Sequence, residues 1–145
     1  MTGDDFISVA TQLLANKSEA HFRTAVGRAY YGAFHRARDF VRACGVLVPA
    51  GPEAHKSVRW CLANVDDDAL GEAASQLESL RTARNKADYD LSFGGFSQSA
   101  NARVHVQRSV EVATIVQRAK VEEVSSKMRA YANSINLPVN EHPLS

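Results

Sequence analysis

The sequence has no apolar run approaching the ~20 residues that a membrane-spanning helix requires. Its two cysteines, Cys44 and Cys61, are too few for a disulfide framework or for a zinc site with paired ligands. The acidic residues at 4 and 5 also differ from the basic start of a secretory signal. We therefore expect a cytoplasmic protein with reduced core thiols and no membrane partner.

An excess of charge of one sign is also missing. Seventeen Lys and Arg against sixteen Asp and Glu give a net charge of +1, so no whole-molecule field attracts nucleic acid or anionic lipid. Any phosphate binding must then be local. The length of 145 residues and an apolar content of 45% suit one globular domain. We predict that domain over residues 1–136 and a flexible tail over 137–145.

Motifs for nucleotide loops and metal sites are lacking as well. Gly94-Gly95 is without the Lys and Ser or Thr of a phosphate-binding loop. No His-x-x-x-His or Glu-x-x-His pair occurs. We expect neither a metal nor a cofactor.

Apolar residues recur at helical spacing along most of the chain. The first stripe runs from Phe6 to Leu14, and a second helix begins with Ser18 as its N-cap and ends at Gly45. Two prolines and two glycines in residues 45–52 predict a connection, after which a short third helix reaches about residue 63. A fourth helix follows the aspartates at 66–68 and ends near Tyr89.

Beyond the loop at residues 93–96, no glycine or proline occurs before Pro138, which predicts a long fifth helix. The five-residue step from Val116 to Val121 interrupts its apolar stripe and predicts a bend or a change of partner. The predicted fold class is all-α, a four- to five-helix up-and-down bundle.

A row of alanines at i, i+4 spacing marks the second helix: Ala25, Ala29, Ala33 and Ala37, with Gly27 and Gly32 beside them. Such a smooth ridge permits close approach of another helix. It serves either packing within the chain or a homodimer seam around a two-fold axis.

Two helices carry polar residues on one side: Arg28, Tyr31, His35 and Arg42 on the second, and Arg81, Arg84 and Asp88 on the fourth. One interpretation is solvated faces with an i, i+4 ion pair between Arg84 and Asp88. The other is that the two faces meet in a groove. Guanidinium groups match phosphate oxygens two at a time, so such a groove would bind phosphate.

Three segments together resemble the HEPN family, the helical domains named for higher eukaryotes and prokaryotes nucleotide-binding. They are residues 27–35 (GRAYYGAFH), 53–58 (EAHKSV) and 80–91 (LRTARNKADYDL). The resemblance implies a helical homodimer in which the Arg-Asn motif of each subunit faces a shared cleft. Many members are metal-independent endoribonucleases that act as toxins or defence effectors. Some pair with a small nucleotidyltransferase that serves as the antitoxin.

Carried over residue by residue, the family's Arg and Asn are Arg84 and Asn85, and its catalytic histidine position falls on Tyr89. A phenol with a pKa near 10 is a poor base at neutral pH, whereas Asp88 is too weak a base unless it is buried. Either His35 or His55 therefore enters the cleft from another helix, or the protein binds RNA or a nucleotide without cleaving it.

These observations leave three hypotheses. In the first, a homodimer binds RNA or a nucleotide and cleaves RNA without metal. In the second, a non-catalytic module uses the groove for a nucleotide or for a nucleotidyltransferase. In the third, the chain is a structural bundle with solvated arginines. The candidate catalytic residues are Arg84, Tyr89, Asp88, His35 and His55, and the candidate phosphate-binding residues are Arg81, Arg84, Asn85, Arg28 and Tyr31.

Overall fold

The computed structural model describes residues 1–140, and that part of the chain is helical with no strand of a sheet. The predicted all-α class is confirmed. None of the helices in this range is both long and apolar enough to span a bilayer. The helices are α1 (Gly3–Leu13), α2 (Glu19–Ala43), α3 (Glu53–Ala63), α4 (Asp68–Tyr89), α5 (Ser99–Arg118) and α6 (Val121–Ser134), with a 3-10 turn at Gly94–Phe96.

Local capping explains why α2 and α4 begin and end where the sequence predicts. The Ser18 hydroxyl accepts a hydrogen bond from the His21 backbone N–H at 3.3 Å, and Asp67 Oδ1 accepts one from Leu70 N–H at 2.9 Å. Each satisfies a backbone donor that the first helical turn leaves free. Gly45, at φ 98°, adopts the left-handed conformation that ends α2.

Two apolar clusters form the core, and both use α2, α4 and α5. The first includes Val41, Leu70 and Val116, and the second includes Val26, Ala87 and Ala102. The end of α2 thus packs with the start of α4 and the end of α5, so that α4 runs antiparallel to its two neighbours. An Asp4–Arg36 ion pair at 3.3 Å places the start of α1 beside the second half of α2. These long helices form an antiparallel bundle.

The predicted fifth helix is two helices. Ala119 is extended (φ −67°, ψ 145°) and separates α5 from α6. Val116 of α5 and Val124 of α6 both pack into the first cluster. The interruption of the apolar stripe marked this position, although no glycine or proline does.

The predicted flexible tail from residue 137 is wrong for residues 137–140. Leu47 N–H donates to the Pro138 carbonyl at 2.9 Å, and Asn140 N–H donates to the Gly45 carbonyl at 2.7 Å. Leu137 and Val139 also pack against the first cluster, so apolar contact and backbone bonding order this segment. Residues 141–145 lie outside the described range.

The alanine ridge of α2 packs within the chain. Ala25, Ala29, Ala33 and Ala37 are all fully buried in the two clusters, so the interpretation of this ridge as a homodimer seam is wrong. Gly32 serves the same intrachain packing, because its Cα faces Ile7 and the Gly3 carbonyl of α1.

Candidate functional site

The polar faces of α2 and α4 meet. Arg84 Nη2 donates a hydrogen bond of 2.8 Å to the Tyr31 hydroxyl, across 53 residues of sequence. The antiparallel packing of α2 and α4 creates this contact, because it sets the first half of α2 beside the second half of α4. Arg84 and Tyr31 therefore lie where the two helices contact each other, as the second interpretation of these faces requires.

Arg84 is held on several sides. Its Nη1 donates to Asn85 Oδ1 at 3.0 Å, and its Nε lies 3.3 Å from Asp88 Oδ2. The guanidinium also lies over the rings of Tyr31 and Tyr89, at 5.3 and 5.5 Å from their centroids. The side chain is only 20% exposed, which distinguishes it from an arginine on a solvated face.

Guanidinium groups and rings alternate across this face, which we call the arginine ladder. Arg28 lies over Tyr31 at 5.6 Å and over Phe6 at 5.4 Å, and Phe6 stacks on His35 at 5.4 Å. Cation–π contacts of this kind hold the guanidinium planes at defined orientations. In order, the ladder consists of Tyr89, Arg84, Tyr31, Arg28, Phe6 and His35.

His55 reaches the site from α3. Its ring stacks on Phe34 with centroids 4.3 Å apart, and its Nδ1 hydrogen-bonds the Tyr30 hydroxyl. Burial, followed by the charges of Arg84 and Arg81, lowers the pKa of His55 below 6.5. The imidazole is therefore neutral at pH 7. Burial raises the pKa of Tyr30 to about 12, so its phenol keeps its proton.

His35 has different surroundings. Burial and then Arg38 lower the pKa of His35, while Asp39 acts in the opposite direction. Arg84 is not among the groups that shift it. The charge of Arg84 acts instead on the pKa of His55.

The other predicted residues differ in their exposure to solvent. Tyr89 is 73% exposed and Asp88 is half exposed, paired with Arg84. Arg81 is exposed, and its charge acts on both Tyr30 and His55. Asn85 is partly buried beside Arg84. No group of three or more His, Cys, Asp or Glu side chains within residues 1–140 is arranged to hold a metal ion.

Arg23 positions the site, and the sequence analysis missed it. This side chain of α2 is buried, and it donates to backbone carbonyls at and just after the end of α4. The acceptors are Lys86, Ala87 and Asp90 at 3.0 Å, Phe93 at 2.7 Å and Leu91 at 3.5 Å. These hydrogen bonds tie α2 to the end of α4, and they fix the segment that carries Asp88 and Tyr89. No sequence spacing indicates a contact between residues this far apart.

Phe6 was also missed as a site residue, because its spacing fits the buried stripe of α1. The structure places it between Arg28 and His35. Its partial exposure was the distinguishing feature, and periodicity does not supply that.

The chain is similar to an uncharacterized protein of Methanocaldococcus jannaschii. The two are 27% identical in an alignment that covers 93% of this chain and 90% of the relative. No protein-family model matches the chain. No solved structure matches it either.

Proposed function

We propose that this chain is a HEPN-like protein that binds the phosphate groups of RNA or of a nucleotide around Arg84. The observation that carries the proposal is the partly buried guanidinium of Arg84, oriented by Tyr31, Asn85 and Asp88. A guanidinium whose orientation is already fixed loses little entropy on binding an oxyanion.

The neighbourhood of Arg84 carries further positive charge beside the Asp88 carboxylate, whose Oδ2 lies 3.3 Å from Arg84 Nε. Arg81 and Arg28 add positive charge on either side.

A second candidate function, metal-independent cleavage of RNA, is favoured by His55. A neutral imidazole near a phosphate-binding arginine suits removal of the proton from a 2′-hydroxyl, while Arg84 stabilises the charge that develops on the phosphate. The Tyr30 hydroxyl would orient the imidazole through Nδ1. His55 thus takes the role that Tyr89 and Asp88 fill poorly.

Binding is tested with Arg84→Ala, with Arg118→Ala as the matched control on an exposed part of α5. Loss of a charge-assisted hydrogen bond should weaken nucleotide or RNA binding roughly 10- to 100-fold in a fluorescence or calorimetric titration. Arg84→Lys keeps the charge but loses the planar guanidinium. Its affinity should lie between those of the unaltered protein and of Arg84→Ala. Equal affinities for Arg84→Ala and Arg118→Ala would refute phosphate binding at this face.

Cleavage is tested by incubating single-stranded RNA with the protein in chelator. We expect His55→Gln to slow cleavage by roughly 10²- to 10⁴-fold while binding is retained. If the RNA survives the unaltered protein and binding still depends on Arg84, the chain is instead a non-catalytic module. That outcome favours a partner nucleotidyltransferase, whose docking should then also depend on Arg81 and Arg84.

We further propose that the active form is a cytoplasmic homodimer whose two arginine ladders line a shared cleft. The exposed Tyr89 and Leu91, at 73% and 77%, supply uncovered ring and apolar surface at one end of the ladder. In sedimentation experiments the unaltered protein should be a dimer. The subunits of Tyr89→Ser should associate more weakly. A monomer at all concentrations would exclude a two-subunit cleft.

A further inference from the structure

A polar cavity lies on the opposite side of α4 from Arg84. Lys86 follows Arg84 by two residues, which is about half a helical turn, and it shares one face with Ser79 and Thr82 at i, i+3 and i+7 spacing. Asn101 and His105 of α5 face them. Together with Phe93 and Phe96, these residues line a cavity of about 200 Å³.

We propose that this cavity binds a small oxyanion of phosphate size. The class of ligand follows from the charge of the lining. Lys86 supplies a positive charge, and none of the described lining residues is acidic. Lys86 forms no ion pair with the described residues; its Nζ lies instead over the Phe93 ring at 4.8 Å.

His105 offers an N–H donor to such an anion. Its side chain is among the few buried polar ones, at 8% exposure. Nδ1 lies 3.2 Å from Arg108 Nη1, and because a guanidinium only donates, Nδ1 must accept. The proton of the neutral ring is then on Nε2, which leaves an N–H donor for another partner.

The charges that act on His105 are both positive. Burial, and then Arg108 and Lys86, lower the pKa of His105 to about 4. Two cations beside a buried imidazole, with an empty polar space between α4 and α5, form a region of positive potential that a bound oxyanion would neutralise.

The size of the cavity limits the ligand. Pockets for drug-sized molecules have volumes of roughly 300–1,000 Å³. A cavity of about 200 Å³ is below that range but leaves ample room for a single oxyanion. The side chains of Ser79, Thr82 and Asn101 provide further hydrogen-bonding groups around it. An entire nucleotide is therefore not the ligand of this cavity.

The test uses inorganic phosphate and the histidine signals in NMR, with the ionic strength held constant by chloride. We expect phosphate to shift the His105 signals saturably and to raise the pKa of His105 from about 4, because a bound anion stabilises the imidazolium. Lys86→Gln should weaken this binding about tenfold or more, through loss of a charge-assisted hydrogen bond.

Arg84→Gln is the matched control, since it removes a cation from the other face of the same helix. His105 should respond to phosphate in this variant as in the unaltered protein, whereas any response of His55 reports on the arginine ladder. The proposal is overturned if the His105 shift does not saturate, if chloride alone reproduces it, or if Lys86→Gln responds like the unaltered protein. None of these results decides whether phosphate binds at Arg84, because the His55 signals report on that site separately.

Discussion

His105 couples the stability of the fold to pH. Its pKa is about 4 in the folded chain, against about 6.5 for an unperturbed histidine. Between these values the unfolded chain binds a proton that the folded chain does not, so acid favours unfolding. The stabilisation is fully present above pH ~6.5 and is lost as the pH falls toward 4, with an upper limit of about 3 kcal/mol.

Urea unfolding at several pH values, in buffer free of phosphate, measures this effect. We expect the free energy of unfolding of the unaltered protein to fall more steeply between pH 6.5 and 4 than that of His105→Gln. The slope is the measured quantity, so a constant loss of stability in the variant does not affect the comparison. Parallel curves would show that His105 titrates normally in the fold.

At the level of single residues, the sequence predicts contacts along one helix and fails for contacts between helices. The i, i+4 spacing of Arg84 and Asp88 correctly predicts their ion pair. The sequence could not predict that the charge of Arg84 acts on His55, because this depends on how α3 packs beside α2 and α4. The five carbonyls bound by Arg23 lie 63 to 70 residues away in the sequence, and no local pattern predicts these contacts.

Close approach of α1 to α2 depends on a pair of glycines. A Cβ on Gly32 would lie 2.6 Å from Ile7 Cγ1 and 2.7 Å from the Gly3 carbonyl oxygen, well inside van der Waals contact. We therefore expect Gly32→Ala to force the helices apart and to destabilise the fold by about 1–3 kcal/mol, as measured by thermal or urea unfolding.

Gly71 of α4 provides the matched comparison for that substitution. It is also a helical glycine, but a Cβ there would meet nothing within 4 Å. Gly71→Ala should therefore stabilise the protein, by up to about 1 kcal/mol, through helix propensity alone. If both alanine variants change stability in the same direction, steric contact between α1 and α2 is not what Gly32 relieves.

Helix positions were largely predictable because their signals are local. Ser18 and Gly45 mark the ends of α2 through capping and backbone conformation, which depend on a few neighbouring residues. The break at Ala119 was indicated only by the interruption of the apolar stripe, since no glycine or proline lies there. The ordering of residues 137–140 depends on backbone pairing with residues 45–47 and has no signal in their own composition.

The whole molecule should unfold in one step, although its core has two clusters. Both clusters are built from α2, α4 and α5, so neither can lose its packing without disturbing helices of the other. We expect the urea transition followed by Trp60 fluorescence, beside the first cluster, to coincide with that followed by far-ultraviolet circular dichroism.

Separate midpoints for the two signals would instead divide the predicted single domain into independently stable parts. At this scale the sequence predicts the fold class and the order of the helices well, since composition and the spacing of apolar residues determine an all-α chain. The sequence cannot predict that the alanine ridge is buried within one chain, because its burial depends on which helix packs against it.

The buried guanidinium of Arg23 donates to five backbone carbonyls, and carbonyls take up no proton in mild acid. Acid that protonates His55 and His105 therefore leaves its hydrogen bonds to the end of α4 intact. The junction between α4 and the segment after it should stay closed while the helices around those histidines loosen. In mildly acidic solution, amide exchange with deuterium should therefore become faster in α3 and α5. At residues near 90 it should remain slow.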